Sequence, residues 1–348
     1  MSTPWYAAIC CAVVACALLA GVAVAAETAH GVTPELRQRA VETLRSVLRQ
    51  EQEWAKVHAA EFLLTLDYPQ GVRDAFLEEL AAHGKEPKYR LGIWRVLVRA
   101  TADDTEATQW KTKIRDVAAD PAARDRLHAL ESLAKLGYKI SSPDAMWLEE
   151  IAREPSGAMA PFAAWVLVNS GWPGAEARLA DLLDSPDAKT RGIAAYALRH
   201  VRDVSPRGRQ KLMDLVTREP AGSEARIHVV CAAAVCAPEG QKDALRAAVV
   251  AYAKDGPTSQ RYQACETLGR LATDTDLPML GGFLSDSTAD IRSSAAAAIL
   301  HVGHRAPHYL GWIDWQVIGL FALGLFANPA DVPRPLAAPC ERRQRRPQ

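Results

Sequence analysis

From Gln52 to about Val302 the chain repeats one spacing of small, aliphatic and charged residues. Aligned on a basic residue, as in RGIAAYALRHV at Arg191, RYQACETLGRL at Arg261 and RSSAAAAILHV at Arg292, the segments carry small or apolar residues at +3 and +4. A larger aliphatic stands at +7 and another apolar residue at +10. The same register returns at Lys56, Arg90, Arg126 and Arg226, and without the charge at Ala160, so eight units follow one another 31 to 36 residues apart. Offsets of 3, 4, 7 and 10 share one side of a 3.6-residue helix, so each unit is expected to supply a helix with an alanine-lined stripe. Small side chains there let neighbouring helices come close, and the aliphatic at +7 fills the space between layers. Trp94, at +4 of the second unit, predicts a wider or bent packing at that point.

Between anchors lies a second apolar-periodic segment, such as AEARLADLL from Ala175 or QKLMDLV from Gln210. Prolines at 87, 121, 155, 186, 220 and 257 punctuate the boundaries. Proline cannot continue a helix and turns its predecessor away from helical angles, so these positions are predicted turns. The unit is helix, turn, helix, turn, and no useful length of period-two alternation predicts a sheet. The fold class expected is all-α, an α-solenoid of about eight helix pairs stacked into an elongated body. Such a stack needs covered ends. At the front, Thr33-Pro34-Glu35 has a capping hydroxyl, proline at the first helical position and an acid near the positive end of the dipole. The helix it starts, with Leu36, Ala40, Leu44, Val47 and Leu48 on one face, is the expected N-terminal cap. At the back, the eighth unit breaks off at GHRAP with its second helix missing.

Units with an arginine, two small residues and an L-G-x-L ending, as in Arg261 to Leu271, or an ADIR start at Ala289, resemble HEAT repeats, most closely the short type also seen in phycobilisome lyases. The resemblance implies a right-handed stack of antiparallel helix pairs and a protein-binding role. Chromophore attachment does not carry over, because no catalytic motif is present to transfer.

Composition narrows this little: 49% hydrophobic and 24% charged residues exclude disorder of the whole chain, and 41 basic residues against 41 acidic ones give no field for nucleic acid. The N-terminus adds more. An apolar run from Tyr6 to Ala26 ends in Ala23-Val24-Ala25 before the first charge, Glu27, which reads as a secretory signal with a small-residue cleavage site; an uncleaved anchor is the alternative. Either places the repeats outside the cytoplasm. Cys231, Cys236 and Cys265 fall in helical segments rich in Ala and Val and read as small buried hydrophobes, although a pair could oxidise in such a compartment.

Near the other end, Leu310 to Ala327 is apolar nearly all round, a poor solvent-facing cap, and reaches about 27 Å as a helix, enough to span a bilayer. Trp312, Asp314 and Trp315 mark its outer edge, and Arg342, Arg343, Arg345 and Arg346 follow the inner one. The stretch LGWIDWQVIGLFALG also resembles the first membrane helix of sodium:solute symporters, over some fifteen residues; no transport residue carries over. The expected organisation is a signal segment or anchor over 1–26, a capping helix over 27–51, repeats over 52–305, a membrane helix over 310–327 and a Pro/Arg-rich disordered tail over 328–348.

Candidate chemistry is sparse. His301, His304 and His308 are spaced for one helical face, but Gly303 and Pro307 are expected to interrupt it, so no metal site is expected. Asp103 and Asp104 read as a loop or helix cap. Arg191, Arg226, Arg261 and Arg292 either line a ridge that meets an acidic partner or bond to acids and carbonyls of the adjoining unit. No catalytic residue or cofactor is expected, and nucleic acid is not a partner. The reading is an exported, membrane-tethered scaffold for a protein or cell-envelope component. The alternative is the N-terminal part of a symporter-like transporter cut short by a changed reading frame, with the solenoid as its docking or sensing region; a soluble lyase-like enzyme ranks third. The transporter alternative requires codons for further long apolar helices beyond the stop codon in one of the three frames; a DNA read lacking them disposes of it.

Overall fold

The structure, a computed structural model, describes residues 31–304; the segments expected as signal (1–26), membrane helix (310–327) and tail (328–348) lie outside them. The described residues form sixteen α-helices: α1 (Pro34–Gln50), α2 (Glu53–Thr65), α3 (Val72–His83), α4 (Tyr89–Ala100), α5 (Asp104–Ala119), α6 (Arg126–Lys135), α7 (Ser142–Arg153), α8 (Met159–Asn169), α9 (Ala175–Asp181), α10 (Ala188–Arg199), α11 (Pro206–Arg218), α12 (Arg226–Cys236), α13 (Glu239–Asp255), α14 (Thr258–Leu271), α15 (Leu277–Phe283) and α16 (Ala289–His304). Short 3₁₀ turns follow α9 and precede α15, and there is no strand among these residues. All six boundary prolines lie between helices. Thr33 caps α1 by accepting from Leu36 N, and Asp103 caps α5 by accepting from Thr105 N and Glu106 N.

The even-numbered helices are the anchor helices of the repeat, and they pack on one another in sequence. Their +3 residues, Ala59, Ile93, Ala129, Ala163, Ala194, Val229, Ala264 and Ala295, are all 0% exposed, and the +7 residues are buried as well. The stripe read from the periodicity is therefore the inter-helix contact. Trp94 is the exception in the expected way: α4 and α6 touch less than other neighbouring inner helices. Its ring lies between Arg90 and Lys113, whose charged ends sit 5.3 and 6.0 Å from the ring centroid.

The stack does not stay open. α16 packs along both α1 and α2, so the eight inner helices form a closed ring with the odd-numbered helices outside it. This corrects the elongated body and also the missing helix. Each unit is an outer helix followed by its inner helix, so α1 to α16 already make eight pairs. α1 sits between α16 and α2 as α5 sits between α4 and α6, supplying the neighbour that α16 lacked. It covers a seam rather than an end. Glycine permits the closest approach there: a Cβ on Gly303 would stand 3.1 Å from Arg37 Nη2 and 3.5 Å from Val32 Cβ. Helix α16 accordingly runs through Gly303 to His304, where an interruption was expected.

The seam repeats the bond used inside the ring. Arg191 donates through Nε and Nη2 to the carboxylate of Glu219, both at 2.7 Å, and Glu219 is the C-cap of outer helix α11. Arg261 reaches Asp286, just after α15, at 2.6 Å. Across the seam, Arg292 donates to Glu51, the C-cap of α1, at 2.7 Å. His58 Nδ1 adds a second link, 2.9 Å from Asp290 Oδ1. With Glu51 more than a third exposed, screening keeps the pair weak. A double-mutant cycle with Arg292→Ala and Glu51→Ala should return a coupling of about 0.5–1 kcal/mol by urea denaturation; additive losses would mean that the ends do not meet.

Candidate functional site

Closure turns a second stripe of every inner helix toward a common axis. Offsets of +2, +5 and +9 lie opposite the outer helices, and in this chain they are rich in ionisable residues: His58, Glu61, Arg95, Arg99, His128, Glu131, Lys135, His200, His228, Glu266, Arg270 and His301. Five of the nine histidines of the chain stand at +2 or +9. The aligned repeat contained this signal. In an open solenoid such a face meets solvent, where charge needs no explanation, and only closure gives it meaning.

Side chains from every second inner helix meet across the axis. Trp54 of α2 packs on His128 of α6, centroids 5.6 Å apart. Lys135 of α6 lies 5.7 Å from the ring of Tyr196 in α10. Arg199 of α10 donates to Thr267 at 2.6 Å and Glu266 at 2.9 Å, both in α14, and Tyr262 of α14 stacks on His58 of α2 at 5.4 Å. The circuit thereby returns to its start. Gly92 makes room for it, since a Cβ there would meet Val57 at 2.9 Å and Trp54 at 3.2 Å.

The charges hold one another. Glu61 accepts from Arg95 at 2.6 and 3.0 Å and from Arg99 at 2.9 Å, while Arg95 also donates to Ser132 at 3.2 Å. Burial alone would raise the Glu61 pKa, but Arg95, Arg99 and Lys135 hold the carboxyl well below its usual range. Glu131, half-buried beside Lys135 at 2.8 Å, is lowered in the same way. Removing one member of such a buried set leaves its partner uncompensated, which costs more than the set contributes.

The histidines go the other way. Burial lowers the pKa of His128, and burial with Arg199 nearby pushes His228 down to about 4. His200 is depressed strongly, first by burial and then by Arg199, Lys135, Arg270 and Arg99, so its ring is neutral and stacks on Trp165 at 5.2 Å. Its Nε2 and the Nδ1 of His228 are buried without a hydrogen-bond partner. Neutral imidazole can ligate a metal, yet among the described residues no three suitable side chains converge as a ligand set. His304 lies on α16 beside Arg37, while His308 falls outside the described residues.

The four arginines singled out in the sequence are framing elements at one rim, where the inner helices begin. Besides their acids, Arg191 donates to Ser185 O and Pro186 O, Arg261 to Ala253 O, and Arg292 to Asp286 O and Ser287 O. Arg226 donates to Val216 O and Glu219 O. These are acids and carbonyls of the same and adjoining units. Cys231 and Cys265 are fully buried and Cys236 partly so; all three are free, with burial pushing Cys236 up to about 11 and Cys265 up to about 12, so they are protonated thiols at neutral pH.

No protein-family model matches the chain, and no curated protein sequence matches it.

The axis sets a pH dependence. Unfolded histidines take up protons near pH 6.5, whereas the folded ring resists protonation until lower pH, so the unfolded state binds more protons in between and stability falls on acidification. For His228 the window runs from 6.5 to about 4, and by pH 5 the loss is roughly 2 kcal/mol. Urea midpoints at pH 7.5 and pH 5 should differ accordingly, and His228→Gln should narrow the difference; an unchanged midpoint between the two would contradict the neutral axis.

Proposed function

We propose that the chain is an exported, membrane-tethered HEAT-like scaffold that binds another protein or a cell-envelope component and carries no catalytic centre of its own. The observation that carries the reading is closure. Eight units joined by one repeated contact make a stiff body, and the ionisable groups most able to do chemistry are engaged with one another at its axis. What remains for a partner is the outer helices and the two rims. Arg191, Arg226, Arg261 and Arg292 frame one of these rims, held there by their acids and carbonyls, so a partner would meet the turns around them.

The tether is supported by the sequence, where the apolar run at 6–26 and the block at 310–327 flank the ring along the chain. Within the ring, Val32 and Gly303 lie side by side at one rim. The arginine-framed rim is the opposite one. Among the described residues no helix is long and apolar enough to cross a membrane, so anchoring falls to those two segments. In cells making the full chain, extraction should need detergent, and a membrane-impermeant amine reagent should label exposed lysines such as Lys189 without lysis. Release by a high-pH wash alone, or labelling only after lysis, would reject the tethered, exported reading.

A further inference from the structure

The seam keeps the register of the other junctions and changes their chemistry. Between α2 and α4, a Cβ on Gly92, at +2, would meet Val57 and Trp54, at +1 and −2 of the preceding inner helix. Between α10 and α12, a Cβ on Gly192, at +1, would stand 3.4 Å from His228, at +2 of the following one. The seam pairs the same offsets, because Asp290, at −2 of α16, bonds to His58, at +2 of α2. That register turns Ser293, at +1 of α16, toward His58. In the other units the +1 slot holds Val57, Leu91, Leu127, Pro161, Gly192, Ile227 or the Tyr262 ring. Ser293 is fully buried and its hydroxyl has no hydrogen-bond partner. A buried hydroxyl left unsatisfied weakens the contact in which it sits.

The seam also lacks a peptide link. At each of the other seven junctions the inner helix runs into the next outer helix through two to six residues, which keep the two units together when their contact fluctuates. α16 and α1 stand at opposite ends of the described residues, so no such linker joins them. The two polar links across the seam, Arg292 to Glu51 and His58 to Asp290, are partly exposed, where ion pairs are weak. A stack of repeats opens first where separation is unrestrained and the contact is least apolar.

We propose that the seam is a gate: α16 parts from α1 and α2 ahead of any other opening, and the closed ring becomes a short open solenoid while its other seven junctions hold. The Tyr262–His58 stack across the axis is lost with it. The contacts of Trp54 with His128, Lys135 with Tyr196 and Arg199 with Glu266 lie within the part that stays joined. The axial face is then reached from the side, through the gap between α16 and α2. The gate rests on closure of the ring and not on the tether.

Thiol labelling of the full chain in neutral detergent tests it, with N-ethylmaleimide as the probe and each site read by peptide mass spectrometry. Ser293→Cys places a thiol at one end of the seam. Leu300→Cys places a second at the other end, since Gly269 and His301 show that +8 of one inner helix faces +9 of the next. Both are expected to label at similar rates, roughly tenfold faster than Val57→Cys, which fills the +1 slot at a linked junction, and than the buried native Cys231 and Cys265. The introduced thiol at 293 replaces the orphaned hydroxyl, so its rate is a lower bound on opening. Arg292→Ala should speed both seam sites severalfold and leave the others unchanged; Glu51→Gln serves if that variant fails to fold. The proposal is overturned if the seam thiols react no faster than the controls. It is also overturned if only one of the two is fast, which marks fraying of a helix end, or if Arg292→Ala speeds every thiol alike, which marks global unfolding.

Discussion

Everything in this ring depends on how closely one inner helix can lie against the next. Alanine or another small residue at +3 and +4 in most units brings the parallel inner helices together, while the bulkier outer helices keep the periphery apart. A wedge repeated eight times curves the stack, and here the curvature brings α16 back to α1 and α2. No distinct device fastens the seam. It is one more inter-unit contact, with Arg292 and Glu51 in the roles of Arg191 and Glu219.

Closure changes the electrostatics more than the packing. A face that would meet water in an open stack becomes the lining of an axis where side chains from four directions touch. In that setting a carboxylate stays ionised only when cations surround it, as Arg95, Arg99 and Lys135 surround Glu61. Histidines near the same cations stay neutral. The axis therefore couples fold and charge: its ion pairs are enclosed only while the ring is shut. Some polar atoms on the axis are left without a hydrogen bond, among them His200 Nε2, His228 Nδ1 and the Ser294 hydroxyl.

The anchor arginines show how much a linear pattern can say. A basic residue at the start of each inner helix reads equally well as a ridge for an acidic partner or as a strut, because both uses leave the same spacing. Their partners separate the two, since Glu219, Asp286 and Glu51 stand beside them at helix ends that lie 25 to 241 residues away along the chain. Likewise Gly303 reads as a helix breaker until Arg37 and Val32 are seen to occupy the space a side chain would need. The +2, +5 and +9 stripe was present in the aligned units all along, and its meaning waited on knowing that the face it marks is enclosed.

Local periodicity determined the helices, their turns, the count of units and the buried stripe, because a helix of 3.6 residues per turn imposes its contacts on nearby positions whatever the rest of the chain does. The cap at Thr33 and the turn prolines belong to the same class. Whether the stack ends or closes was decided only in three dimensions. Curvature is a small angle accumulated over eight interfaces, and no single repeat records the sum; residues such as Glu51 and Arg292 carry no mark of each other until the ring has come round.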